Sequence, residues 1–299
     1  MAEPTKRKAK HEGVATMVDL THARHDRAHV LAPGLFRSLG PGDRKRLKLD
    51  VVYDFGDGER LEFGGKDPLG VLEMRVLQGL VAMAGPDGLI LNDQDKASPS
   101  GGQLMLDLFE PDPVVQAAKL KPATLVIRDS LRRLAREIGM DEGGKSLKDI
   151  REAIERMFGV TIFVQTGKRR LGMRMLAAYA SDEGTGDLYV ALNPRIAGAI
   201  MGSTPYARID LAEARQLESD PARLLHQRLS GWIDPGKSGE AGIEILSGYV
   251  WPDEPASDAA KRKRWSRVRK AVQEIAKLSW RVEEVSRDSW RFIRPKLPR

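Results

Sequence analysis

The sequence predicts an α+β protein in which one order of elements, three helices followed by a strand hairpin, is written twice. Apolar residues recur at helical spacing in six stretches, three before residue 202 and three after it. Each set of three ends in short β-rich runs joined by a tight polar turn. All five tryptophans, Trp232, Trp251, Trp265, Trp280 and Trp290, follow a Gly/Ser/Thr/Pro cluster at 202–205, so each half is expected to hold its own core. Helix, helix, helix, hairpin is the order of the winged helix-turn-helix. The expected fold class is therefore two winged helix-turn-helix domains in tandem.

Residues 1–21, with KRKAK at 6–10 and few apolar side chains, read as a flexible basic arm, and the first domain is expected over 22–202. Its first helix lies within 68–85, with Leu72, Val76, Leu80 and Met83 as the inward stripe. The polar stretch NDQDKASPSGG (92–102) reads as a loop. A second helix (129–139) has Ser130 as N-cap, Leu131, Leu134 and Ile138 on one face, and Gly139 as its stop. The third (146–159) has Ser146 as cap and Leu147, Ile150, Ile154, Met157 and Phe158 inward. Strands are expected at 160–165 and 171–180 around the turn TGKRR, with a third at 187–193.

The second domain is expected over 203–299. Its first helix (221–233) carries Leu224, Leu225, Leu229 and Trp232 on one side, and a short helix (243–250) ends at Trp251-Pro252. The third helix is KRKRWSRVRKAVQEIAKL (261–278). Strands at 280–285 and 290–293, joined by SRDS, form its hairpin.

Charge singles out that third helix. Between 261 and 299 stand 14 Lys/Arg against 4 Asp/Glu, net +10, which leaves the first 260 residues at −3 in a chain of +7. Such asymmetry is the electrostatic footprint of a polyanion partner. At 100° per residue, Trp265, Val268, Val272, Ile275 and Ala276 share one face. Opposite them fall Arg262, Lys263, Ser266, Arg267, Arg269, Lys270, Gln273 and Lys277, with Glu274 as the one acid. A solvated surface helix would intersperse acids at i,i+4. This face repels itself unless something anionic compensates, and third in the unit is the place of a recognition helix. Lys168, Arg169 and Arg170 at the first hairpin tip, and Arg287 at the second, are expected on DNA phosphates. The first domain's own third helix mixes Lys148, Arg151 and Arg156 with Asp149, Glu152 and Glu155, and reads as self-neutralised.

Other chemistries fare worse. GMDEGGKS (139–146) and GWIDPGKS (231–238) match the phosphate-loop pattern, but each follows a helix rather than the buried strand a nucleotide cradle needs. His22, His25 and His29 are expected on a polar surface segment rather than around a metal, and His226 as a hydrogen-bonded structural residue. No Ser/His/Asp set or paired carboxylates stand out, so no enzyme, metal or cofactor is expected. The absence of cysteine fits a reducing, cytoplasmic compartment, and no apolar run is long enough for a membrane span.

Longer blocks carry more than these patterns. HARHDRAHVLAPGLFRSLGPGDRKRLKLDVVYDFGDG (22–58), LQGLVAMAG (77–85), YASDEGTGDLYVALNP (179–194) and ARLLHQRLSGWIDPGKSGEAGIEILSGYVWP (222–252) resemble the RepC replication initiators of IncQ-type broad-host-range plasmids. The resemblance implies an initiator of two winged-helix domains that binds tandem direct repeats (iterons) in double-stranded DNA at an origin. It also implies opening of an AT-rich region, recruitment of a replicative helicase and primase, and dimerisation through the first domain. A winged-helix transcriptional regulator on operator DNA is the alternative reading.

Overall fold

The computed structural model describes residues 20–56, 58–87, 89–91, 124–182, 184 and 186–297. The arm up to residue 19 and the loop expected at 92–102 lie outside the described residues. The chain enters with β1 (His22–Asp26), whose last residue caps α1 (Arg27–Leu31): Asp26 Oδ1 accepts from the His29 backbone N–H at 2.9 Å. A one-turn helix, α2 (Asp43–Arg46), leads to a hairpin of β2 (Leu49–Phe55) and β3 (Glu59–Gly65). None of these elements is among the sequence expectations.

Then comes α3 (Val71–Asp87), and it is buried nearly all round rather than along one stripe: Met74, Leu77, Val81 and Ala84 are as enclosed as Val76, Leu80 and Met83. A helix apolar on every side is a central one. Its two buried polar residues are satisfied. Glu73 accepts from Gly70 N at 2.7 Å, Arg44 at 3.0 Å and Arg156 at 2.7 Å, and Gln78 donates to Gln227 at 2.6 Å.

β4 (Leu89–Leu91) and β5 (Thr124–Ser130) precede α4 (Leu131–Glu137) and α5 (Gly144–Phe158). Ser130 caps α4 as expected, accepting from Arg133 N, and Gly139 takes φ 67° just beyond it. Ser146 does not cap α5. Its hydroxyl donates to Asp141 at 2.6 Å, and the helix starts earlier with Gly143 at the cap. β6 (Thr161–Thr166) and β7 (Arg169–Arg174) form the expected hairpin. The strand expected at 171–180 is two strands, because the chain changes sheet at the fully buried Met175. Asn193 Nδ2 donates to the carbonyls of Arg174 and Met175, and Met175 N bonds to Val160. Beyond it β8 (Leu176–Ser181) pairs with β9 (Asp187–Leu192), and α6 (Pro194–Met201) ends at a left-handed Gly202. The two four-stranded sheets have the orders β2-β3-β6-β7 and β4-β5-β9-β8.

Past that point, β10 (Tyr206–Asp210) pairs antiparallel with β1, and α7 (Leu211–Gln216) leads to α8 (Asp220–Trp232). β11 (Ser238–Gly242), α9 (Ile243–Val250), α10 (Asp258–Ile275), β12 (Arg281–Ser286) and β13 (Ser289–Ile293) complete the second winged unit. Its sheet, β11-β13-β12, has one strand more than expected. Trp232 does not join Leu224, Leu225 and Leu229 in the core. It is 38% exposed and lies over Gly239, where a Cβ would come within 2.8 Å of the ring.

Of the three histidines expected at the surface, only His22 is partly exposed, its Nδ1 3.1 Å from the Thr21 hydroxyl. His25 and His29 are fully buried, because β1 packs against α3 and α6. His29 Nδ1 lies 2.5 Å from Asp26 Oδ1, and its ring meets Phe63 edge-on at 5.3 Å. Arg195 reaches the other Asp26 oxygen at 2.9 Å and clasps Glu59 with both ends of its guanidinium. Burial, then the neighbouring His29, pushes His25 down to about 4. His226 is the hydrogen-bonded structural residue expected, 2.8 Å from Glu213.

Candidate nucleic-acid interface

The basic helix α10 starts at Ser257, whose hydroxyl accepts from Ala260 N at 3.2 Å. Val268, Ala271, Val272 and Ile275 are buried against α8 and α9. Trp265 packs on that core with part of its ring exposed, and Lys261 Nζ stands 4.8 Å above it. Ala276, expected inward, is exposed because the helix ends there as a C-cap. Arg262, Lys263, Ser266, Arg267, Arg269, Lys270, Gln273 and Lys277 are all exposed on the other side. Glu274 is turned away from them and accepts from the Glu218 and Ser219 backbone N–H groups at 3.1 Å each, at the start of α8. The outward face is therefore basic without an acid of its own.

Its two flanks differ. On one, Arg269 is held bidentate by Asp288 in the β12–β13 turn, at 2.6 and 2.8 Å. Asp288 has φ 61°, the only positive φ outside glycine among the described residues, and the Arg269 guanidinium holds its carboxyl below the usual range. Arg287, beside it, is exposed. On the other flank Arg264 and Arg267 lie 5.6 and 5.0 Å from the centre of the Trp251 ring. A basic run, Arg44-Lys45-Arg46-Leu47-Lys48, ends beside the loop that carries Trp251, where Lys48 lines a cleft together with Pro252 and Asp253. Periodicity passes over it; four cations in five residues were the available signal.

In the first winged unit the β6–β7 turn is Gly167-Lys168, with Gly167 at φ 57°. Lys168 and Arg169 project from it, exposed. Arg170 folds back instead: Glu62 on β3 takes both of its terminal nitrogens, and its guanidinium lies 4.7 Å from the centre of the Phe163 ring. On α5, Arg156 is engaged by the buried Glu73 and by Glu152, in keeping with a self-neutralised helix.

Neither phosphate-loop match is preceded by a strand. Residue 139 follows α4, and residue 231 lies within α8, after which the chain enters β11. Among the described residues no group of three or more His, Asp or Glu could hold a metal ion, and no helix is long and apolar enough to cross a membrane.

The family model of replication protein C (RepC) matches residues 17–296. The chain belongs to the RepC family. Among solved structures it is similar to domains 2 and 3 of RctB in a selenomethionine form, with TM-score 0.52 and 10% identity over 89% of this chain and 97% of that one. A second structure of RctB domains 2–3 gives TM-score 0.50 and 10% identity over 86% and 95%. The Pi initiator protein, in complex with iteron DNA, gives TM-score 0.48 and 13% identity over 94% and 100%. No curated protein matches in sequence. The RctB likeness is one of fold, and it places this RepC-family chain among tandem winged-helix proteins.

Proposed function

We propose that this replication protein initiates plasmid DNA replication by binding tandem direct repeats at the origin, opening an adjacent AT-rich region and helping to recruit the replicative helicase and primase. It works in the bacterial cytoplasm, has no catalytic activity of its own, and dimerises through its first domain (22–202) while the second (203–299) selects sequence. The carrying observation is the acid-free outward face of α10, opposite a buried apolar stripe. In a major groove, Ser266, Lys270, Gln273 and Lys277 face base edges, and Arg262, Lys263 and Arg267 lie towards the backbone. Lys168 and Arg169 take phosphates from the first wing.

Neutralising on the order of six to eight phosphates makes log K fall by roughly 5–7 per log unit of salt. Lys270→Ala should weaken binding to the cognate repeats by about 1–3 kcal/mol through its base-edge contact, and Arg267→Ala by less, through the backbone. Titration against one repeat, several direct repeats and an inverted pair tests the reading. Preference for the inverted pair would point to a transcriptional regulator, and unchanged affinity in both variants removes α10 as the reader.

A further inference from the structure

Within that reading, a helix about 10–12 Å across seated in a groove about 12 Å wide has a sugar-phosphate backbone along each flank. The β12–β13 turn lies on the Arg269 side of α10 and meets one backbone. The opposite side, marked by Arg264 and Arg267, is occupied by the Trp251–Asp253 loop and by a segment from the N-terminal half of the chain. Arg264 Nη1 donates to the Asp253 carbonyl at 2.5 Å, and Arg37 pairs with the Asp253 carboxylate. Ser38 N bonds to the Val250 carbonyl at 3.0 Å. Those contacts bind Arg37 and Ser38, just ahead of α2, to the second winged unit.

The segment is held rigidly. Arg44 bonds to the buried Glu73 at 3.0 Å and to the Pro68 carbonyl at 3.1 Å, Gly42 takes φ 82°, and Asp43 accepts from Gly40 N at 2.8 Å. What it presents is positive. Lys45, Arg46 and Lys48 are exposed, and among the described residues Lys45 and Lys48 have no ion pair. Two of the nearby acids are engaged, Asp43 by Arg46 at 2.9 Å and Asp253 by Arg37, while the exposed Asp50 on β2 lies in the same cleft as Lys48. That cleft of about 250 Å³, lined by Arg37 and Lys48 and by Asp50 and Asp253, runs between the start of β2 and the Pro252–Asp253 loop. Burial lowers the Arg37 pKa, and Arg264 and Arg46 add to that against the opposing charge of Asp43, so the junction gathers three guanidinium groups.

We infer that α2 and the residues after it form a second phosphate-binding surface, in which Lys45 and Lys48 meet the DNA backbone along the flank of α10 opposite the wing. This rests on α10 occupying a major groove. The first half of the chain would thus contribute to the groove that the second half reads, without adding sequence information.

The full-length protein and its Lys45→Ala/Lys48→Ala variant can be titrated across a salt series. The probes are a duplex bearing the cognate direct repeats and a scrambled duplex of equal length. Loss of two phosphate contacts should reduce the slope of log K against log salt by about 2 on both duplexes. The ratio of the two affinities and the melting temperature should stay unchanged, and hydroxyl-radical protection should disappear at one edge of the footprint. An unchanged slope, or a changed ratio with the slope intact, overturns the inference. Failure of the underlying reading looks different: wild-type protein would show no preference for the repeats, and the inference would fall with it.

Discussion

Three donors converge on Glu213. His226 Nε2 lies 2.8 Å from one carboxylate oxygen, which also accepts from Trp280 Nε1 at 3.0 Å, while the Ser279 hydroxyl donates to the other. Burial alone would raise this carboxyl; the three bonds outweigh it and lower it to about 2 from an ordinary 4.5. The lowered value means that its contribution is fully present above pH 4.5 and disappears as pH falls towards 2. At neutral pH the shift corresponds to about 3 kcal/mol. Glu213→Gln should therefore lower the melting temperature at pH 7 and leave a shallower acid limb, with the two curves converging at the acid end. Tryptophan fluorescence melts across pH check this, and a constant offset at every pH contradicts it. The same scale shows what periodicity makes legible. It sorts α10 correctly into inward Val268, Val272 and Ile275 and outward cations. It does not show that Arg170 and Arg269 are already engaged, because Glu62 lies 108 residues from Arg170 and Asp288 lies across a separate turn.

Helix α3 crosses α4 at Gly79. A Cβ placed there would stand 2.5 Å from Ile138 Cγ2 and 2.7 Å from Leu134 Cδ1, both buried side chains. Glycine in a helix costs about 0.5–1 kcal/mol relative to alanine, whereas forcing a methyl into a packed contact costs about 1–3 kcal/mol. The contact outweighs the propensity. Gly79→Ala should destabilise the protein, visible as a lower urea midpoint at unchanged slope; a raised midpoint would mean that α4 simply slides away. Legibility at this scale follows from how each element declares itself. The helices do so by apolar spacing, and all six expected ones are present. β2 and β3 also carried a signal, since LDVVYDF alternates in exposure, but within the domain expected over 22–202 the helix-helix-helix-hairpin order began only at α3. β11, Ser-Gly-Glu-Ala-Gly, has almost no apolar content, and only its pairing with β13 makes it a strand. The break at Met175 depends on Asn193, so no local pattern marks it.

Taken whole, the two winged units share structure rather than merely a chain. β1 pairs with β10 over five residue pairs, and Gln78 on α3 meets Gln227 on α8 in the interior. Arg215 on α7 bonds back to the carbonyls of Glu137 and Leu20, and Leu211 N to that of Thr21, so the residues at the arm's expected end are fastened. One continuous apolar cluster runs from Leu20 through Leu80 and Leu225 to Phe292. Such a seam predicts a single cooperative transition, and the tryptophans provide the means to test it. All five lie after residue 202, so fluorescence reports only the second unit, whereas far-ultraviolet circular dichroism reports both. Leu80→Ala opens a cavity in the first unit at a cost of about 2–5 kcal/mol. In a coupled molecule the fluorescence midpoint must fall together with the dichroism midpoint, although no tryptophan lies in the unit that was altered. Separate midpoints, with fluorescence unmoved, would show that β1–β10 pairing and the Gln78–Gln227 contact open before either core does.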